Sequence, residues 1–242
     1  PSRPVTNGMN RILLDVELGA AQVFDIPGIN YHTYQYDEAY AKTGHGFILG
    51  SETASTVSSR GVYHFPVTTV NTTSDDKAVR ASAMNHILHP DSHNSSYDTE
   101  VAPWGNLPDY DWVQQEDKPW VIGEFVWTGF DYLGEPSPYN TVWPSRSSYF
   151  GIIDLAGLPK DRYYLYRSRW NTKQPTIHLL PHWNWRGREG EIIRVLAYTN
   201  AERLELFLNG VSQGEREIEK YGHGEWEVAY EAGELRVLAY RG

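Results

Sequence analysis

Two hydropathy patterns divide the chain. Up to about residue 174, short apolar runs are separated by polar, helix-compatible stretches, as in strand and helix units repeated around a parallel sheet. Residues 25–30 (Asp-Ile-Pro-Gly-Ile-Asn), 46–50 (Gly-Phe-Ile-Leu-Gly) and 119–127 (Pro-Trp-Val-Ile-Gly-Glu-Phe-Val-Trp) are predicted strands. Helices are expected at 36–42, from its Ala and Glu content, at 75–88, where Val79, Ala83 and Ile87 repeat at helical spacing, and at 161–170. Residues 89–109 are rich in Pro, Asp, Ser and Asn without a period, and read as a long loop. Beyond Pro175 the pattern is strict alternation, at 192–198, 204–208 and 235–240, with a hairpin signal at Asn209-Gly210. The expectation is an α/β region over 1–173 and a separate β-sandwich-like domain over 174–242.

A chain of 242 residues can bury a core as one large domain or two smaller ones. It opens on Pro1 rather than methionine and stops at Gly242 directly after a predicted strand, so both ends read as cut. No apolar run approaches the ~20 residues that cross a bilayer, and no charged-then-apolar leader opens the chain. A soluble protein with no membrane partner is expected, its compartment undetermined, with the periplasm or secretion as options. The net charge of -10 argues against nucleic acid, whose binding needs a basic face to displace counterions. The absence of cysteine excludes disulfides and thiolate metal sites. Nine Trp and seventeen Tyr supply flat rings that stack on sugar faces while their N–H and O–H groups bond hydroxyls, although core packing also consumes such rings.

Glu52, in Phe-Ile-Leu-Gly-Ser-Glu-Thr-Ala-Ser (47–55), stands just past an apolar strand among small neighbours that leave room for a ligand. Strand ends are where barrel enzymes react, but a glutamate there can equally be a surface or capping residue. Glu124 sits mid-strand and reads as buried and paired. Glycoside hydrolysis needs two carboxylates, so a Glu52 and Glu124 pair deserves weighing, against which stand their different positions relative to the strand ends. His86, His89, Asp91 and His93 have metal-like composition but no standard ligand spacing, and read as histidines in a hydrated loop. Residues 215–219 read as a solvated acidic face. Trp183, Trp185 and Trp226 raise the alternative of a distal sugar-binding module, although tryptophans in a small sandwich usually pack. Neither a metal nor a cofactor is expected.

Residues 47–55, followed by Gly-Glu-Phe-Val-Trp-Thr-Gly-Phe-Asp-Tyr-Leu-Gly-Glu-Pro at 123–136, resemble glycoside hydrolase family 2, in particular its β-galactosidase branch. Segments 1–6, 25–31, 154–161 and 181–185 fit the same family in the same order, so the resemblance covers essentially the whole chain. It implies that 1–173 is the second half of a (β/α)8 TIM barrel, starting near the fifth strand, and that 174–242 is a truncated immunoglobulin-like sandwich. It also implies Glu52 as nucleophile, Tyr31 as the tyrosine that orients it, and Trp127 as a sugar-stacking ring. Asn30, His32, Asp131 and Glu135 lie beside these positions as candidate substrate-binding residues. The family's acid/base is a Glu that follows an Asn, and no Asn-Glu dipeptide occurs here. The partners implied are a carbohydrate substrate and the rest of the parent enzyme or a complementary chain.

The reaction so implied is exo-acting, retaining hydrolysis of terminal β-galactosides through a glycosyl-Glu52 intermediate. Residues 154–160 lack the Asn-x-Lys element with which glucuronidases of the family hold a sugar carboxylate, which favours a neutral sugar. The alternatives are a catalytically inactive structural or carbohydrate-binding fragment, and a relative acting on another β-glycoside such as a β-glucuronide or β-mannoside.

Overall fold

The computed structural model describes residues 2–69 and 87–241. Four parallel strands, β1 (Thr6–Met9), β2 (Ile26–Asn30), β3 (Ile48–Ala54) and β4 (Val121–Trp127), form one sheet in the order β1-β2-β3-β4. The helices α1 (Ile12–Glu17), α2 (Tyr36–Thr43) and α3 (Pro108–Gln115) lie in the connections. Ile12, Tyr36 and Ala39 of the first two pack on Met9, Ile29 and Ile48 of the strands, all buried. Removing these side chains from water is what holds short helices that would not persist alone.

Strand register decides what faces the site. Asn30 pairs with Glu52, and Ala54 with Trp127, so the C-terminal ends of β2, β3 and β4 lie side by side. The ladder continues past β2, where the Tyr31 N–H donates to the Glu52 carbonyl at 2.6 Å. Here the expectation of a strand ending at residue 50 is corrected: β3 runs to Ala54 and Glu52 lies within it. Polar residues extend the strand because their hydroxyls are satisfied laterally. Ser51 Oγ donates to Asn30 Oδ1 at 2.8 Å, and Thr53 Oγ1 to Glu124 Oε2 at 2.7 Å.

The segment expected to be a hydrated loop is also corrected in part. Residues 94–102 are irregular but buried, and 107–115 turn into α3, which starts on Pro108, where the missing N–H costs nothing. The buried stretch is anchored on the end of β3: Val57 N donates to Glu100 O, Ala102 N to Ser55 O, and Asn106 N to Ala54 O. Gly105 makes that approach possible, since a Cβ there would lie 2.3 Å from the Ala54 carbonyl oxygen. The helix expected at 75–88 falls almost wholly on residues outside those described, as does His86.

After the helix α4 (Asp161–Trp170), the chain builds two antiparallel sheets. One holds β5 (Ile177–Leu180), β6 (Ile192–Thr199) and β9 (Gly224–Ala229), the other β7 (Arg203–Leu208), β8 (Val211–Glu217) and β10 (Leu235–Tyr240). Val195, Leu204, Leu206, Trp226 and Val228 fill the space between them. Asn209 and Gly210 take φ of 50° and 79°, as the tight turn joining β7 and β8 requires. Trp226 is buried in this core, Trp183 packs against it, and Trp185 stacks on His182 at 4.2 Å, so these indoles are used in packing.

The two regions share a core. Leu165 and Tyr166 of α4 pack with Tyr97 and Trp112 on one side and with Leu180, Leu196 and Tyr198 on the other. Polar contacts cross the same joint: Tyr97 Oη donates to Arg194 O at 2.6 Å, Tyr198 Oη to Asp98 Oδ2 at 3.1 Å, and His178 meets Asp161 at 2.6 Å. No helix among the described residues is long and apolar enough to cross a membrane.

Candidate active site

Tyr31 Oη donates a 2.6 Å hydrogen bond to Glu52 Oε2 at the C-terminal ends of the parallel strands. Burial, followed by the adjacent carboxylate, raises the Tyr31 pKa, so the phenol stays protonated and remains the donor. A cleft of about 370 Å³ opens over this pair, within the range of small-ligand sites. Asn30, Tyr31, His32, Glu52, Trp127 and Glu135 line it together, joined by Asn10 and Trp104. Two indoles and two carboxyl groups facing one cleft suit a polyhydroxylated ring with one apolar face.

The backbone around the cleft is held in a sparsely populated conformation. Tyr31 and His32 follow β2 with φ of 55° and 49°, Ala54 and Ser55 close β3 at 60° and 65°, and Glu135 stands at 44°. Left-handed conformations at residues other than glycine carry strain that neighbouring contacts must offset. Asp111 of α3 supplies such contacts: its carboxyl oxygens accept from Ala54 N at 2.8 Å, Thr33 Oγ1 at 2.7 Å and Asn106 Nδ2 at 3.0 Å. Burial nevertheless pushes the Asp111 pKa up to about 7. Trp104 Nε1 donates to Ser55 Oγ at 3.0 Å and its ring leans on Tyr31, with centroids 6.5 Å apart.

Other carboxyl groups point elsewhere. Glu124 is half-buried and accepts from Thr53 Oγ1 at 2.7 Å and Trp112 Nε1 at 2.9 Å, so it does not share the Glu52 cleft. Asp131 is separated from the other candidate residues: its carboxylate meets Lys160 Nζ at 2.7 Å and accepts from Gly151 N at 2.7 Å. Asp131 and Lys160 line a second, larger cleft of about 690 Å³ that does not contain Glu52. Glu135 accepts a short hydrogen bond from Tyr132, whose ring meets that of Trp127 edge-on at 5.9 Å.

Known proteins are similar to this chain in sequence and in fold. A β-galactosidase, BoGH2A, of Bacteroides ovatus is 39% identical over 99% of this chain and 27% of its own length. A putative β-glucuronidase of Formosa agariphila is 42% identical over 61% of this chain and 14% of its own. Among solved structures, a β-glycosidase from Bacteroides vulgatus superposes with a TM-score of 0.75 at 29% identity, covering 100% of this chain and 31% of that one. A glycosyl hydrolase family 2 member from Bacteroides cellulosilyticus covers 100% of this chain and 27% of that one, with a TM-score of 0.64 at 26% identity. Over its whole length the chain is similar to members of glycoside hydrolase family 2, and it spans about a quarter of the length of the β-galactosidase it matches. A family model described as a domain of unknown function, DUF4982, matches residues 190–242, which hold β6 to β10.

Two cleft residues carried no weight in the sequence reading. Asn10 directly follows β1, the shortest strand of its sheet. Trp104 lies in the irregular stretch, and its one sequence signal is an indole placed between Pro103 and Gly105 in an otherwise polar segment.

Proposed function

We propose that this chain carries the nucleophile of a retaining, exo-acting β-glycosidase, with a β-galactoside as substrate. The observation that carries the reading is the 2.6 Å bond from Tyr31 Oη to Glu52 at the bottom of a cleft walled by Trp127 and Trp104. In this reading Glu52 attacks the anomeric carbon and forms a glycosyl ester as the leaving oxygen departs with a proton. Tyr31 orients the carboxylate, an indole face of Trp127 packs the apolar side of the sugar, and Asn30, His32 and Glu135 are placed to bond hydroxyls. The proton donor belongs to a part of the polypeptide outside this sequence, and its loss costs a factor of ~10²–10⁴ in rate. The parallel sheet over 1–173 is then part of a (β/α)8 barrel, and 174–242 an immunoglobulin-like sandwich.

A neutral sugar is favoured over a uronic acid by Lys160. This buried ammonium is already engaged by Asp131, Ser58 O and Tyr149 O, at 2.7, 2.7 and 3.1 Å, which leaves it no free capacity for a sugar carboxylate. The test is a pair of fluorinated, activated glycosides, one galactoside and one glucuronide, incubated with the full-length enzyme and followed by peptide mass spectrometry. Labelling of Glu52 by the galactoside is expected. A label on another carboxyl group refutes the nucleophile, and preferential labelling by the glucuronide refutes the sugar.

A further inference from the structure

We propose that His64, His89 and Glu100 form a binding site for a divalent transition-metal cation of the Zn2+ type, joining the two loops that follow β3. Each of the three offers a ligand atom, and these atoms lie within 4.8 Å of one another. Two imidazoles with one carboxylate make a donor set that suits Zn2+.

Each ligand is held as a metal site requires. Glu100 is buried, at 2% exposure, and among the described residues its one cationic candidate partner is His89 at 2.7 Å. Its second oxygen accepts from Asn94 Nδ2 at 2.7 Å and Ser95 N at 3.2 Å, which fixes the carboxylate plane. His64 Nε2 lies 3.0 Å from Asp91 Oδ2, and this contact makes Nε2 the protonated nitrogen. The lone pair is thereby left on Nδ1, which is buried without a hydrogen-bond partner. A carboxylate that sets the tautomer of an imidazole whose other nitrogen is unpaired is the outer shell seen around metal-bound histidine. The two rings stack at 3.8 Å and 29°, which holds both imidazoles beside the Glu100 carboxylate.

Metal–ligand bonds of about 2.0–2.2 Å place tetrahedral donors about 3.3 Å apart, so the His89 to Glu100 contact opens by roughly half an ångström on binding. The cation would tie the strand-following segment that carries His64 to the segment of His89 and Glu100, and the latter continues into Trp104 of the Glu52 cleft. The site therefore acts on the order of a cleft wall and takes no part in bond cleavage.

The experiment is calorimetric titration of metal-stripped protein with ZnCl2, with the fold checked by circular dichroism. One equivalent is expected to bind, raising Tm by about 5–10 °C at a hundredfold excess over Kd. His64→Ala and His89→Ala are each expected to weaken binding about 100-fold or more, Asp91→Asn about 10-fold, and His182→Ala not at all. No Zn2+ uptake by the parent protein, or unchanged affinity in both histidine variants, overturns the proposal. Should His89→Ala fail to fold, Co2+ loaded into the parent protein reads the same question. Visible d–d bands that vanish in Glu100→Gln are expected, and bands unchanged in that variant overturn the site.

Discussion

At Tyr31 a left-handed backbone, a buried phenol and a carboxylate contact meet in one residue. Removing its hydroxyl leaves the ring beside Trp104 and deletes the bond to Glu52. Tyr31→Phe in the full-length enzyme is therefore expected to lower kcat by about 10²-fold with a small change in KM, as loss of one preorganised donor does, measured on an aryl galactoside. Asp111 offers a test through pH. Its pKa is raised in the fold from about 3.9 to about 7, so between those values the native state keeps a proton that the unfolded chain has released. The stability from this group is full below pH ~4 and declines as pH rises to ~7, with a slope of at most about 1.4 kcal/mol per unit. Denaturant unfolding of Asp111→Asn across that range is expected to show a flatter profile. Asp98, also raised to about 7 by burial, supplies the slope that remains.

Among elements, the approach of the 100–106 segment to the end of β3 sets the cleft wall. Gly105→Ala places a methyl group against the Ala54 carbonyl and must push that segment outward. A loss of about 1–3 kcal/mol in unfolding free energy is expected, together with weaker substrate binding through displaced Trp104, read as a raised KM. Elements were legible in the sequence where side-chain period decides burial. The alternation at 192–198 and 235–240 became β6 and β10, and the apolar run of 119–127 became β4. They were illegible where polar residues are satisfied by distant partners. Thr53 belongs to a strand because Glu124 accepts its hydroxyl proton, and the stretch 94–102 is buried because Asn94, Ser95 and Glu100 bond one another. The site followed the same division: Glu52, Tyr31 and Trp127 sit at strand ends and were visible as motif residues, whereas Trp104 reaches the cleft from an irregular segment with no period. Asp131 stands close in sequence to Glu135 but turns to Lys160, a choice made by a buried ammonium 29 residues further on.

For the whole molecule, the parallel sheet is one-sided at both ends: β1 and β4 each pair with one neighbour among the described residues. Near β4, Ile122, Phe125, Phe130 and Leu133 are 51–77% exposed. Apolar clusters of this kind mark surfaces that another part of a protein covers. Residues 1–242 alone are expected to bind the dye ANS strongly, and the same sequence within a longer parent enzyme is expected to bind little. Equal, low dye fluorescence in both would show that the patch needs no cover. The core shared by α4, Tyr97 and Tyr198 has a different consequence, for recombination. A gene junction placed at residue 174 would look neutral on a map of strands and helices, yet it cuts through packed aromatic rings and the Asp161 to His178 contact. Swapping the antiparallel region for that of a relative is thus a mutation of the interior. Chimeras made there should fail unless Tyr97, Leu165 and Tyr166 travel with the graft.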